Sequence, residues 1–112
     1  MLRVVPRQIT VDELARLLDS RAPVFLLDVR QPWEHETARL PDSVLIPLSD
    51  LAERWGEVNV PPGTLLVAYC HHGVRSLTAA ALLEENGIAT VASLAGGIDA
   101  WARTIDDKVP RY

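Results

Sequence analysis

Apolar positions change their spacing several times along this chain. Val11, Leu14, Ala15 and Leu18 recur at three- and four-residue intervals, which predicts an amphipathic helix over about 11–20. Thr10-Val11-Asp12-Glu13 stands at its head in the order of a capping box, with Thr10 as N-cap and Glu13 reaching back. After Pro23 comes a short apolar run, Val24-Phe25-Leu26-Leu27-Asp28-Val29, broken by a single acid. Such a run fits a strand covered on both faces, as in a parallel sheet. Residues 30–43 hold Pro32, Pro41 and many charges, and read as a loop with room for one helical turn. Val44-Leu45-Ile46 is a second short strand. Leu48, Leu51, Ala52 and Trp55 form another helical stripe, ended by Gly56. Pro61-Pro62-Gly63 marks a turn, and Thr64-Leu65-Leu66-Val67-Ala68-Tyr69 is the strongest buried-strand signal in the chain. An Ala- and Leu-rich helix over about 76–86 is closed by Asn86-Gly87 as a left-handed cap. Residues 89–93 form a last strand. Gly96-Gly97 then turns the chain into a helix whose Ile98, Trp101, Ala102 and Ile105 share one face. This alternation predicts an α/β fold with a mainly parallel central sheet flanked by helices on both faces.

Composition narrows the class. A length of 112 residues suits one domain, and 48% hydrophobic with 23% charged residues excludes a disordered chain. The net charge of -4 provides no basic footprint, so no nucleic-acid partner is expected. No apolar run approaches the roughly 18 residues of a membrane span, and no membrane partner is expected. Met1–Arg7 lacks the apolar stretch of a signal peptide, which makes the cytoplasm the expected compartment. A single cysteine, Cys70, excludes an intrachain disulfide and a Cys-rich zinc site.

Candidate chemistry collects where strands end. In open α/β sheets ligands bind at the carboxyl ends of strands, and Asp28 and Cys70 fall at two such ends. Behind Cys70 come a short loop containing Gly73 and a helix starting near Ser76. Backbone N–H groups of a tight loop can converge as an anion nest, and the helix adds its positive end. Arg75 adds a permanent cation. All three favour a thiolate at Cys70. A loop curled around a sulfur also calls for positive φ at one residue, which Gly73 supplies. A free cysteine at a strand end is most often a small buried hydrophobe, but Gly73, Arg75 and the helix start point here to a reactive thiolate. His71 and His72 diverge as neighbours and have no third ligand at a suitable spacing, so no metal is expected. Near the pocket they could hydrogen-bond a bound anion. His35 reads as structural or solvated.

Cys70-His71-His72-Gly73-Val74-Arg75-Ser76 resembles the active-site loop of the rhodanese family, Cys-x-x-Gly-x-Arg-Ser/Thr. Other segments agree in order. Leu26-Leu27-Asp28-Val29-Arg30 with Pro32-Trp33-Glu34 resembles the family's Asp-Val-Arg segment and its downstream acid. Leu40-Pro41-Asp42 through Leu48 resembles its Ile-Pro-Gly-Ala strand entry, and Leu94-Ala95-Gly96-Gly97-Ile98 with Trp101 its closing Gly-Gly…Trp element. The likeness spans about 9–102. It departs at Ala38-Arg39-Leu40, where the family often has Gly-His-Ile, and at Asp42, where it usually has Gly; Asp tolerates the left-handed turn.

The resemblance implies a single rhodanese-like domain over 1–112, with its core about 9–105, acting as a sulfurtransferase of the thiosulfate type. Cys70 would carry a persulfide. His71, His72, Gly73, Val74, Arg75 and Ser76 would bind the small anionic sulfur donor, with Asp28 and Arg30 supporting the strand end behind the loop. No metal or organic cofactor is implied, and the acceptor would be cyanide, a thiol or a partner protein. Two alternatives remain. One is a cysteine-dependent phosphatase or arsenate reductase; the related phosphatase loop has five residues between Cys and Arg, whereas four stand here, making a smaller nest. The other is a persulfide carrier or binding module with little turnover of small acceptors. A thiol oxidoreductase is disfavoured, because no second cysteine can resolve a mixed disulfide.

Overall fold

A computed structural model describes residues 6–112, so most of the Met1–Arg7 segment read as lacking a signal peptide lies outside the described residues. In chain order the elements are β1 (Arg7–Ile9), α1 (Val11–Asp19), β2 (Val24–Asp28), α2 (Pro32–Thr37), β3 (Val44–Leu45), α3 (Leu48–Arg54), β4 (Leu65–Tyr69), α4 (Arg75–Glu85), β5 (Val91–Leu94) and α5 (Gly97–Thr104). A 3₁₀ turn at Trp55–Glu57 extends α3. The five strands form one sheet in the order β1-β5-β4-β2-β3, and every pairing is parallel.

Parallel strands need crossovers, and the helices that supply them cover both faces. Strand residues alternate between two cores. Leu26, Val67, Tyr69, Ala92 and Leu94 pack with Val11 and Leu14 of α1 and with Ile98 and Trp101 of α5. Leu27, Leu66, Ala68, Cys70 and Val91 pack on the other face with Leu51 of α3 and with Ala79, Ala80 and Leu83 of α4. The two-sided burial explains why β2 and β4 read as continuous apolar runs. It also separates the two strand-end positions: Cys70 falls on the α3/α4 face, while Asp28, level with Tyr69 in the register, shares the opposite face with it.

From β2 the chain moves outward to β3, then returns to the other side of β2 as β4 and continues to β5. The order therefore reverses between β2 and β4, which is the crevice where open α/β sheets bind ligands. Three details differ from the pattern-based expectation. β1 was not expected; three residues, two of them exposed, are too few to show alternation. Residues 32–37 form a short helix, with Pro32 at its first position and a reciprocal cap between Gln31 and Glu34. At α1, Thr10 caps the Glu13 N–H at 3.1 Å, but the Glu13 carboxylate returns to the Thr10 hydroxyl rather than to its backbone. Among the described residues no helix is long and apolar enough to cross a membrane.

Candidate active site

Cys70 follows the last residue of the central strand β4, and its side chain is buried. Two backbone amides converge on its sulfur: Gly73 N–H at 3.1 Å and Ser76 N–H at 3.4 Å. Ser76 lies in the first turn of α4, where amides have no partner within the helix. The N-cap residue Val74 has no side chain that can cap α4, and the Cys70 sulfur takes up one of these amides instead. The Ser76 hydroxyl sits 3.5 Å from the sulfur and 2.7 Å from the Ser93 hydroxyl, and both serines are buried. Ser93 was not singled out in the sequence. Its place on the same face as Cys70 follows from alternation along β5 with Val91.

A loop can turn its N–H groups inward only if its carbonyls are satisfied elsewhere. The first turn of α5 does this: Ile98 N–H donates to the Cys70 carbonyl at 2.9 Å and Asp99 N–H to the His71 carbonyl at 3.1 Å. For the helix end to come this close, Gly97 must be bare. A Cβ there would run into the Cys70 and His71 carbonyls, and its φ is +62°. Gly73 has φ +100°, and its Cβ position faces the Gly96 N and the Leu94 carbonyl at 3.1 and 3.2 Å. The Gly-Gly element and the Cys70 loop thus form one piece of local structure.

Arg75 opens α4, but its guanidinium is not an uncommitted cation facing the sulfur. It holds Glu34 of α2 in a bidentate pair at 2.7 and 2.9 Å. The Tyr112 hydroxyl donates to the same carboxylate at 2.7 Å. Burial acts to raise the Glu34 pKa, but Arg75, Tyr112 and the Gln31 N–H outweigh it and bring it down to about 2. The Tyr112 hydroxyl in turn accepts from Arg30 at 2.6 Å. Arg30 grips Asp28 through Nε at 2.8 Å and Nη2 at 2.7 Å, and reaches the Ala38 carbonyl. Both members of this pair are completely buried. Burial opposes the Arg30 charge, yet Asp28 and Tyr112 hold its pKa above the ordinary value. Tyr69 and His35 complete the Asp28 shell at 3.2 and 2.8 Å, which makes His35 a structural partner. Burial, with Asp28 alongside, pushes Tyr69 up to about 12. None of the bonds of Asp28 or Arg30 reaches the sulfur; both sit behind the loop, on the other face of the sheet.

The remaining loop residues line its outer side. His71 is stacked between His72 and Tyr112, with ring centroids 4.0 and 4.2 Å away. Burial, and then the neighbouring His72, lower its pKa and so favour the neutral imidazole. His72 is largely exposed, 3.8 Å from Asp99. Val74 is 73% exposed and Trp33 59%, so an apolar rim flanks the loop. Tyr112 had no signal of its own in the sequence, since nothing local marks a residue that acts across the fold. Among the described residues no three His, Cys, Asp or Glu side chains are grouped to hold a metal ion.

The rhodanese-like domain model matches residues 10–104. The chain belongs to this family. A sulfurtransferase of Allochromatium vinosum is 35% identical over 96 residues, covering 86% of this chain and 88% of its own length. A probable adenylyltransferase/sulfurtransferase of Mycobacterium tuberculosis, MoeZ, is 36% identical over 104 residues, which is 93% of this chain but 26% of MoeZ. The chain spans about a quarter of such two-function relatives. Among solved structures, a rhodanese-like domain protein from Staphylococcus aureus superposes with TM-score 0.79 at 30% identity, over 95% of this chain and 98% of that one. This rhodanese-like domain therefore has sulfurtransferase homologues and their single α/β fold.

Proposed function

We propose that this domain transfers sulfane sulfur from thiosulfate, or a similar small anion, through a persulfide on Cys70. The observation that carries the reading is the convergence of the Gly73 and Ser76 amides on the Cys70 sulfur in a loop of four intervening residues. A nest filled by one sulfur suits a sulfur anion better than a phosphoryl group with its equatorial oxygens.

In the first half-reaction the Cys70 thiolate attacks the outer sulfur of thiosulfate. A Cys70 S–S bond forms, the S–S bond of the donor breaks, and sulfite leaves with the electron pair. The loop amides are already aimed at the sulfur, so they need not reorganise as charge shifts. Arg75 uses two of its five N–H donors on Glu34, which leaves three for an anionic donor. In the second half an acceptor attacks the outer sulfur and the Cys70 thiolate departs. Cyanide takes this role in an assay; a thiol or partner protein takes it in the cytoplasm. His71, His72, Val74 and Ser76 shape the donor site, Asp28 and Arg30 brace it, and the working unit spans about 9–105. No metal or organic cofactor enters the scheme.

Thiocyanate formation from thiosulfate and cyanide tests this directly. Cys70→Ser should fall to background while keeping the fold, because a serine hydroxyl can neither ionise near neutral pH nor hold a persulfide. Near wild-type turnover in the folded variant would overturn the assignment. Hydrolysis of p-nitrophenyl phosphate at enzymatic rates would favour the phosphatase alternative.

A further inference from the structure

Tyr112 makes contacts that the sulfur chemistry above does not use. Beyond α5 the chain turns at Asp106, which accepts from the backbone N–H of Lys108 at 3.0 Å and of Val109 at 3.2 Å. Val109 and Tyr112 then pack against the α1/α5 core, and Arg111 Nε lies 3.7 Å from Asp99. This route brings Tyr112 to the side of the Cys70 loop. Its ring stacks on His71 at an interplanar angle of 12° and meets Trp33 edge-on at 5.6 Å. Its hydroxyl accepts from Arg30 and donates to Glu34, two charge-assisted bonds that join the buried Asp28–Arg30 pair to the Glu34–Arg75 pair.

Building on the sulfurtransferase reading, we propose that Tyr112 is a positioning and specificity-determining residue. Its hydroxyl holds Glu34, and through it the Arg75 guanidinium, while its ring walls one side of the Cys70 loop against bulky reactants. The Glu34 oxygen bound by the Tyr112 hydroxyl also accepts from Arg75 Nη2. A carboxylate released from that hydroxyl can rotate and take the guanidinium with it, which loosens donor binding before it affects the chemical step. The ring acts separately. It stacks on His71, whose other side is covered by the largely exposed His72, so it adds to the outer side of the loop that carries Cys70.

Two variants of the full chain separate these roles. Tyr112→Phe removes the hydroxyl and keeps the ring; Tyr112→Ala removes both. For Tyr112→Phe the thiosulfate KM should rise about fivefold with kcat changed less than about twofold. Its relative rate of Cys70 labelling by a bulky maleimide against iodoacetamide should match wild type. For Tyr112→Ala the KM should rise similarly and the bulky-to-small labelling ratio should climb about tenfold. An unchanged KM in Tyr112→Phe, or an unchanged labelling ratio in Tyr112→Ala, overturns the corresponding role. A lower kcat at unchanged KM would make Tyr112 merely structural. Labelling needs no turnover, so a wild-type protein that forms no thiocyanate from thiosulfate or any other sulfane-sulfur donor would refute the sulfurtransferase reading without touching the test of the wall.

Discussion

Glu34 is 3% exposed and still ionised, because two groups from distant parts of the chain, Arg75 and Tyr112, donate to it. A buried carboxylate is tolerated only when its oxygens are so satisfied. Its pKa falls from 4.5 to about 2 on folding, and the sign of the consequence follows. Above the unfolded value its contribution to stability is fully present; as the pH drops from 4.5 toward 2 the unfolded chain binds the proton first, and that contribution is lost. Melting temperature should therefore fall steeply across this range in wild type. Glu34→Gln should start lower at neutral pH and show a shallower fall. Parallel curves for the two proteins, followed by circular dichroism, would contradict the ion-pair account. In the sequence Glu34 appeared only as the acid downstream of Asp28-Val29-Arg30, and its partners could not be read there. An ion pair between residues 41 positions apart has no local pattern.

At the scale of elements, β4, the Cys70 loop, α4 and the first turn of α5 act together. Two amides of the loop and α4 face the sulfur, and two amides of α5 hold the loop's carbonyls. Gly97 is the point of closest approach between them. Gly97→Ala should therefore destabilise the fold by about 3 kcal/mol, combining positive φ with a collision against backbone that cannot move aside cheaply. Urea unfolding would measure it, and a loss within about 0.5 kcal/mol would show that the α5 end does not clamp the loop. The strong elements were legible in sequence. β4 announced itself as an apolar run, α1 by Thr10 and its helical stripe, and the loop by Gly73, whose expected positive φ is +100°. Short pieces were legible only in part: β3 was expected at Val44-Leu45-Ile46, and one helical turn was allowed for in residues 30–43. β1 takes its pairing entirely from β5, and α2 lies in a stretch whose prolines and charges mask one and a half turns of helix.

The whole molecule explains why its two conspicuous strand-end residues do different things. Asp28 and Cys70 both sit at the carboxyl edge, on neighbouring strands, and the sequence marked each only as a polar position at a strand end. The sheet sets them on opposite faces: Cys70 meets α4 and its amides, while Asp28 is enclosed with Arg30, Tyr69 and His35. The buried pair braces the edge, and Tyr112 connects it to Glu34 and Arg75. Strand parity and the reversal of order between β2 and β4 thus leave one sulfur at the switch point, with its donors in place.

A sulfur atom carried on Cys70 adds to the mass of the protein. Intact mass should be measured after incubation with excess thiosulfate and desalting, then again after cyanide. The protein should gain one sulfur atom, mapped to Cys70 by peptide analysis, and cyanide should remove it completely with release of thiocyanate. A mass that never changes under thiosulfate or other sulfane-sulfur donors, in protein whose Cys70 is free to be alkylated, would contradict sulfur transfer through Cys70.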